Sequence, residues 1–186
     1  DLAPLVARAG GTPLYLVEIA AGLASEVDGL AIEQLVGERI DALSESDRTI
    51  LRRAAVLGVR IPLGLYLTCV GAPLLSSGLS SFLELGADGV SFRSELFRDV
   101  AYGQLTFQAR RELHRAAAAA ISSDPGIGGA SRDAMLTAHY EAAGEWEAAR
   151  EAASRAAASA ESAFALEEAV RAYRSAIEAA RRSGGS

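Results

Sequence analysis

The sequence contains no lysine, because all 18 of its basic residues are arginines. A P-loop uses a lysine to reach the β- and γ-phosphates of a nucleotide, so this chain has no P-loop of its own. Schiff-base catalysis requires a lysine amine and is excluded for the same reason. The absence of lysine therefore excludes both P-loop nucleotide binding and Schiff-base catalysis for this chain.

Cysteine and histidine are nearly as scarce, since the chain has one cysteine, Cys69, and two histidines, His114 and His139. A single cysteine forms no disulfide within the chain and fits a reducing cytosol. Cys69 has no basic neighbour to lower its pKa, and neither histidine has a metal-ligand partner at a spacing such as HExxH. His114 stands beside Arg111 and Arg115 and is expected on a helix surface. We therefore expect no catalytic residue, no metal site and no enzyme activity.

Long apolar runs are also missing, because no stretch approaches the roughly 18 residues that a membrane-spanning helix needs. The net charge of −6 and a pI near 5.0 argue against nonspecific nucleic-acid binding. Half of the residues are hydrophobic and evenly spread, which predicts one or two domains with real cores. We expect a cytoplasmic protein with neither a membrane nor a nucleic acid as its direct partner.

The stretch from Phe92 to His114 has the most informative pattern in the chain. Asp88-Gly89 favours a tight hairpin turn and precedes a short β-like run that ends at Phe92. Ser94 is placed to cap a helix that begins at Glu95, and a second helix is expected from about Phe107. The pattern predicts a small β-wing followed by two packed helices.

Upstream, apolar spacing predicts a helix that ends near Leu43, and Ser44 with Asp47 predicts the cap of the next helix, which runs to about Leu57. Two further helices are expected over Pro62–Val70 and Pro73–Leu85. Three helices and a wing are the parts of a winged-helix domain. The predicted fold class is therefore mainly α, with a small β-wing.

An irregular linker is expected from Ser122 to Ala130, and its glycines match no phosphate-binding fingerprint. Beyond it, alanines recur at helical spacing around Met135, Trp146 and Tyr173. Small residues at such positions let helices approach closely, as in tetratricopeptide-like hairpins. The two alanine signatures are only about 20 residues apart, whereas a full repeat needs about 34, so an irregular version is predicted.

Phe92-Arg93, Arg98-Asp99, Val100-Ala101-Tyr102 and Arg111-Glu112-Leu113-His114 resemble the end of the winged-helix module in STAND signal-transduction ATPases. The resemblance extends to large ATP-binding LuxR-type regulators and ATPase-linked bacterial adenylate cyclases. It implies a helical lid over residues 1–43, a winged helix over 44–106 and a tetratricopeptide-like domain over 107–186.

Gly11-Thr12-Pro13 resembles the GxP motif of the family's lid, and Thr12 with Pro13 also suits the start of a helix that runs to about Ser25. The resemblance implies that Gly11 and Pro13 lie against ATP or ADP in the intact protein. The family has a histidine after Phe-Arg that helps to hold the phosphates, and here that position is Ser94. Serine has no cationic form and a shorter reach, so the contact is weakened or lost.

The resemblance therefore implies a non-catalytic regulatory arm that couples an upstream nucleotide-binding domain to a platform for a protein or small-molecule effector. The chain lacks an initiator methionine, which favours a segment of a longer protein. One alternative is a free-standing tetratricopeptide-like adaptor that binds peptides in an alanine-lined groove. A second is a DNA-binding winged helix, although its expected recognition helix, Pro73–Leu85, has no arginine.

Arginines cluster at Arg110, Arg111 and Arg115 on the helix after the winged-helix segment. Such a cluster suits phosphate binding, because guanidinium groups present a planar fork of donors. A solvated helix face with local ion pairs, here Glu112 with Arg115, is the favoured interpretation.

Overall fold

The computed structural model describes residues 29–71 and 75–184. Within these ranges the chain is mainly helical with one small antiparallel sheet, which confirms the predicted fold class. The chain divides into two compact units, one up to Leu105 and one from Thr106 onwards. None of the helices in the described ranges is both long and apolar enough to cross a bilayer.

The described part of the first unit contains four helices and a three-stranded sheet. Its helices are α1 (Gly29–Asp41), α2 (Glu45–Leu57), α3 (Leu63–Val70) and α4 (Glu95–Gly103), and its strands are β1 (Arg60–Pro62), β2 (Leu83–Gly86) and β3 (Gly89–Phe92). β3 is the central strand and pairs antiparallel with both β1 and β2. The predicted cap of α2 is confirmed, because the Ser44 hydroxyl accepts a hydrogen bond from the Asp47 amide at 3.1 Å.

The hairpin between β2 and β3 is the wing predicted at Asp88-Gly89. Gly86 pairs with Gly89, so Ala87 and Asp88 form the loop. Gly89 has a φ of 140°, and a Cβ at this position would lie 2.1 Å from the Ile61 carbonyl oxygen of β1. Glycine is therefore required both for its backbone angle and for the close approach of the neighbouring strand.

A helix over Pro73–Leu85 was predicted, and this prediction is wrong for the residues that the structure describes. Leu79–Ser81 form only a single 3-10 turn, and Leu83–Gly86 form β2. The Ser76 hydroxyl accepts from the Leu79 amide at 3.1 Å, as a helix cap does, but the turn that it starts ends after Ser81. Pairing with β3 then satisfies the backbone of the following residues.

The core of the first unit lies between the sheet and the helices. Leu79 and Leu83 are fully buried, and the rings of Phe82 and Phe97 meet edge to face with centroids 5.3 Å apart. Edge-to-face aromatic pairs contribute about 0.5–1.5 kcal/mol beyond the burial of their area. The residues that replace the predicted helix are therefore a central part of the core.

The second unit is a chain of four helices in which each packs against the next. They are α5 (Phe107–Ser123), α6 (Gly129–Ala143), α7 (Trp146–Ser162) and α8 (Leu166–Ser183). Their contacts are built mainly from alanine, because the buried residues of α7 are Ala149, Ala152, Ala153 and Ala157. Such hairpins are tetratricopeptide-like, as predicted. The linker between α5 and α6 is shorter than the predicted Ser122–Ala130 and comprises only residues 124–128.

Candidate functional site

Ser94 is the one predicted nucleotide-site residue within the described residues. Gly11 and Pro13 lie outside them. The hydroxyl of Ser94 accepts a hydrogen bond from the Leu96 amide at 3.3 Å, which confirms the predicted cap of α4. The side chain is half-buried. In this position Ser94 satisfies one of the free amides at the helix start.

The charged residues around Ser94 hold the winged helix together. Arg93 donates from Nε to the Ser80 carbonyl at 2.8 Å and pairs with Glu84 of β2 at 3.4 Å. Arg98 donates from Nε to the Ala55 carbonyl of α2 at 2.9 Å. It also lies 4.7 Å from the centre of the Tyr102 ring. Arg98 thus links α4 to α2, and Arg93 links the residue after β3 to β2 and to the 3-10 turn before it.

Gln104 connects three helices of the same unit. Its Oε1 accepts from Arg52 Nη2 of α2 at 2.8 Å and from Nε at 3.2 Å. Its Nε2 donates to the Asp41 carboxylate at the end of α1 at 3.3 Å. Ile40, beside Asp41, is fully buried. The end of α1 is therefore anchored to α2 and to the residue that follows α4. No pattern along the chain pointed to Gln104, because both of its partners are distant in sequence.

An alanine-lined cleft of about 520 Å³ lies among α6, α7 and α8 in the second unit. Alanines and serines supply most of its wall, and a Glu168–Arg171 ion pair of 3.0 Å stands at its edge. Each of the three helices contributes alanine to the wall, for example Ala134 of α6, Ala160 of α7 and Ala172 of α8. Small side chains leave space between the helices, so the cleft can accept apolar side chains of a peptide or a small apolar ligand.

His114 was expected on a helix surface, and this prediction is wrong, because only 6% of the residue is exposed. His114 shares a face of α5 with buried Ala117, Ala118 and Ile121, a spacing that marks it as inward-facing. Its Nδ1 lies 2.9 Å from Nδ1 of His139 on α6. Burial lowers the pKa of His139 to about 4.

The histidine pair is a hydrogen bond between two helices. The described residues include no group of three or more side chains able to hold a metal ion. Cys69 on α3 is half-buried, and burial raises the pKa of its thiol, so the reactive thiolate is disfavoured.

The arginine cluster of α5 supports the turn that follows α6. Arg111 donates from Nε to the Ala143 carbonyl at 2.7 Å, and Arg115 forms an ion pair with Glu145. The predicted pair of Glu112 with Arg115 is wrong, since Glu112 accepts instead from Gln108 at 2.9 Å. A cation near the last carbonyls of a helix is favoured by the helix dipole. Arg111 and Arg115 thus have structural partners in the second unit.

Comparison with protein-family models, with curated proteins and with solved structures finds no match to this chain. Function is therefore inferred from the chain's own residues and their contacts.

Proposed function

We propose that this chain is the non-catalytic regulatory arm of a STAND-type signalling ATPase. Its winged-helix unit would couple the nucleotide state of an upstream domain to the helical platform formed by α5–α8. One observation carries the proposal: the residues of the STAND-like motif coincide with β3, the cap of α4 and α4 itself. Arg93 and Arg98 of the motif donate hydrogen bonds to backbone carbonyls of the first unit. These bonds explain why the motif has arginine at the two positions.

The anchored end of α1 supplies a physical route for the coupling. The proposed lid, residues 1–43, includes α1. Asp41 at the end of that helix accepts from Gln104, and Gln104 accepts from Arg52. A change in the position of α1 therefore acts directly on α2 and on the end of α4. Packed helices with shared hydrogen bonds are the kind of connection that can carry such a signal.

In this proposal ATP or ADP belongs to the intact protein, with Gly11 and Pro13 against the nucleotide and Ser94 in place of a phosphate-binding histidine. The protein would be cytoplasmic, where the nucleotide is available. The partners would be the upstream nucleotide-binding domain and an effector, protein or small molecule, on the second unit. The alanine-lined cleft is the surface that best suits an apolar part of that effector.

A second candidate function is a free-standing adaptor that binds peptides, and the alanine-lined cleft favours it specifically. A DNA-binding winged helix is disfavoured. Such a domain needs a basic recognition helix, whereas the described residues 75–85 contain one 3-10 turn and no arginine.

The coding sequence upstream of Asp1 tests the proposal most directly. We expect it to encode a nucleotide-binding domain with a Walker A motif, and its absence would overturn the proposal in favour of the adaptor. Calorimetry gives the biochemical counterpart. The isolated chain is expected to show no micromolar binding of ATP or ADP, whereas the intact protein binds. Tight, magnesium-dependent binding by the isolated chain would contradict the assignment.

A further inference from the structure

The last helix has a largely exposed stripe of large apolar side chains, in which the Tyr173 hydroxyl donates a hydrogen bond within the unit, to Glu161 of α7 at 2.9 Å. Leu166, Val170, Tyr173 and Ile177 of α8 are 69%, 49%, 44% and 54% exposed. Steps of four, three and four residues between them place all four on one side of the helix, with the heptad spacing of a coiled-coil seam. The core of the unit uses other positions of α8, including Ala169 and Ala176. We call these four residues the α8 stripe.

Phe164, in the turn before α8, extends the exposed apolar surface at the same end of the helix as Leu166. It is 87% exposed and has a φ of 58°, the one positive φ of a non-glycine residue among the described residues. A left-handed backbone is uncommon for an aromatic residue and carries a steric cost. The turn therefore exposes a large apolar side chain to solvent, and packing within the unit does not explain this exposure.

Two charges beside the stripe indicate what covers it. Glu167 and Arg174 follow Leu166 and Tyr173 at equivalent heptad positions, and neither takes part in an ion pair within the described part of the chain. If two copies of α8 pack in parallel, Glu167 and Arg174 face the opposite flank of the partner helix, where Ala169 and Ala176 lie, so neither charge gains a charged partner. In an antiparallel pair, Glu167 of each copy lies near Arg174 of the other, which is attractive.

The same antiparallel register aligns the apolar residues. When the two helices cross near the middle of the stripe, Leu166 faces Ile177 of the other copy, and Val170 faces Tyr173. All four stripe positions then have an apolar partner, and both copies use the same surface, as a two-fold interface requires. The antiparallel register that pairs the apolar residues is therefore also the one that brings Glu167 near Arg174 of the other copy.

We propose that the α8 stripe is the interface of a two-fold homodimer in which two α8 helices run antiparallel. The interface lies within the second unit and does not depend on the STAND assignment. In a regulatory arm it would join two regulators, and in an adaptor it would make the protein bivalent.

Sedimentation equilibrium of the full chain tests the proposal. We expect a species of twice the 19.3 kDa chain mass at micromolar concentrations. Val170→Arg places a charge in the centre of the stripe and is expected to give a monomer with an unchanged helical circular dichroism spectrum. The same kind of change at an exposed apolar position of α7, Ala158→Arg, is the matched control and should leave the dimer intact. A monomeric wild-type chain, or a dimer that survives Val170→Arg, would overturn the proposal.

Charge exchange tests the antiparallel register separately. Glu167→Arg and Arg174→Glu, each alone, create like-charge contacts and are expected to weaken the dimer by about tenfold. The double variant exchanges the two charges and is expected to regain wild-type affinity. A double variant at least as weak as the two single variants would overturn the antiparallel pairing.

Discussion

The Nδ1 atoms of His114 and His139 lie 2.9 Å apart in the buried contact between α5 and α6, so one imidazole donates to the other. Such a bond requires at least one unprotonated ring nitrogen. Burial lowers the pKa of His139 from 6.5 to about 4, which shows that the charged form is unfavourable at this position. The contact between α5 and α6 is therefore expected to depend on pH.

We predict that the second unit loses stability as the pH falls from about 6.5 to about 4. In this window the unfolded chain takes up a proton at His139 and the folded chain does not, so protons favour unfolding. The stabilisation is complete above pH 6.5, and its loss is on the order of 3 kcal/mol. Urea unfolding, followed at several pH values by circular dichroism, measures the change.

His139→Gln is the control for this prediction, because glutamine can still hydrogen-bond but does not titrate. The carboxylates titrate in both proteins, so a difference between the two pH profiles isolates His139. The profile of the variant is expected to be shallower between pH 6.5 and 4. Parallel profiles would show that His139 makes no contribution to the pH dependence.

Gly89→Ala is predicted to destabilise the first unit by more than about 2 kcal/mol. A Cβ at this position lies 2.1 Å from the Ile61 carbonyl oxygen and 2.9 Å from the Leu63 amide nitrogen, and the φ of 140° is unfavourable for alanine. Both atoms belong to backbone and cannot move aside without opening the contact between β1 and β3. Thermal unfolding of the purified variant measures the loss.

Gly86→Ala serves as the matched variant, since the nearest atom to its Cβ is the Gly89 carbonyl oxygen at an ordinary 3.8 Å. Both substitutions add one methyl group to the same hairpin. We expect the unfolding temperature of Gly86→Ala to stay near that of the wild type. Equal losses in the two variants would mean that the close approach at Gly89 is unimportant.

Features that depend on neighbouring residues were predictable from the sequence. Ser44 and Ser94 are caps whose hydrogen-bond donors lie within three residues, and the turn between β2 and β3, one residue earlier than the predicted Asp88-Gly89, is equally local. The predicted helix over Pro73–Leu85 is wrong because Leu83–Gly86 pair with β3 across a two-residue loop, and apolar spacing alone does not separate a short strand from a helix. The pairing of Arg115 with Glu145 was missed because the two residues are far apart in the sequence. The nucleotide role of Gly11, Pro13 and Ser94 stays a prediction.

Gln104→Ala is predicted to loosen the end of α1 from the rest of the first unit. The variant removes the acceptor for Arg52 and the donor to Asp41, both of which lie near the unit's surface, so a cost of about 1–2 kcal/mol is expected. Hydrogen exchange should speed up at the end of α1 more than in β3. Uniform acceleration across the unit would contradict a local role for Gln104.

Ser94→His is predicted to leave this chain folded and to slow nucleotide release from the intact protein. Ser94 is half-buried at the start of α4, and loss of its hydrogen bond to the Leu96 amide should cost roughly 1 kcal/mol. In the proposed nucleotide-bound state, an imidazole at the start of a helix could donate to a phosphate that the helix dipole already favours. The off-rate of a fluorescent ADP analogue from the intact protein measures the effect.

Ser94→Ala separates the two roles of this position, because it removes the cap without adding an imidazole. If Ser94 acts only as a cap, the alanine and histidine variants should lose similar stability and release the analogue at the wild-type rate. If the position faces the nucleotide, only Ser94→His should slow release, and this difference should persist after both variants are shown to be folded. Equal off-rates for all three proteins would remove Ser94 from the nucleotide site and leave it the capping role that its contact with Leu96 already explains.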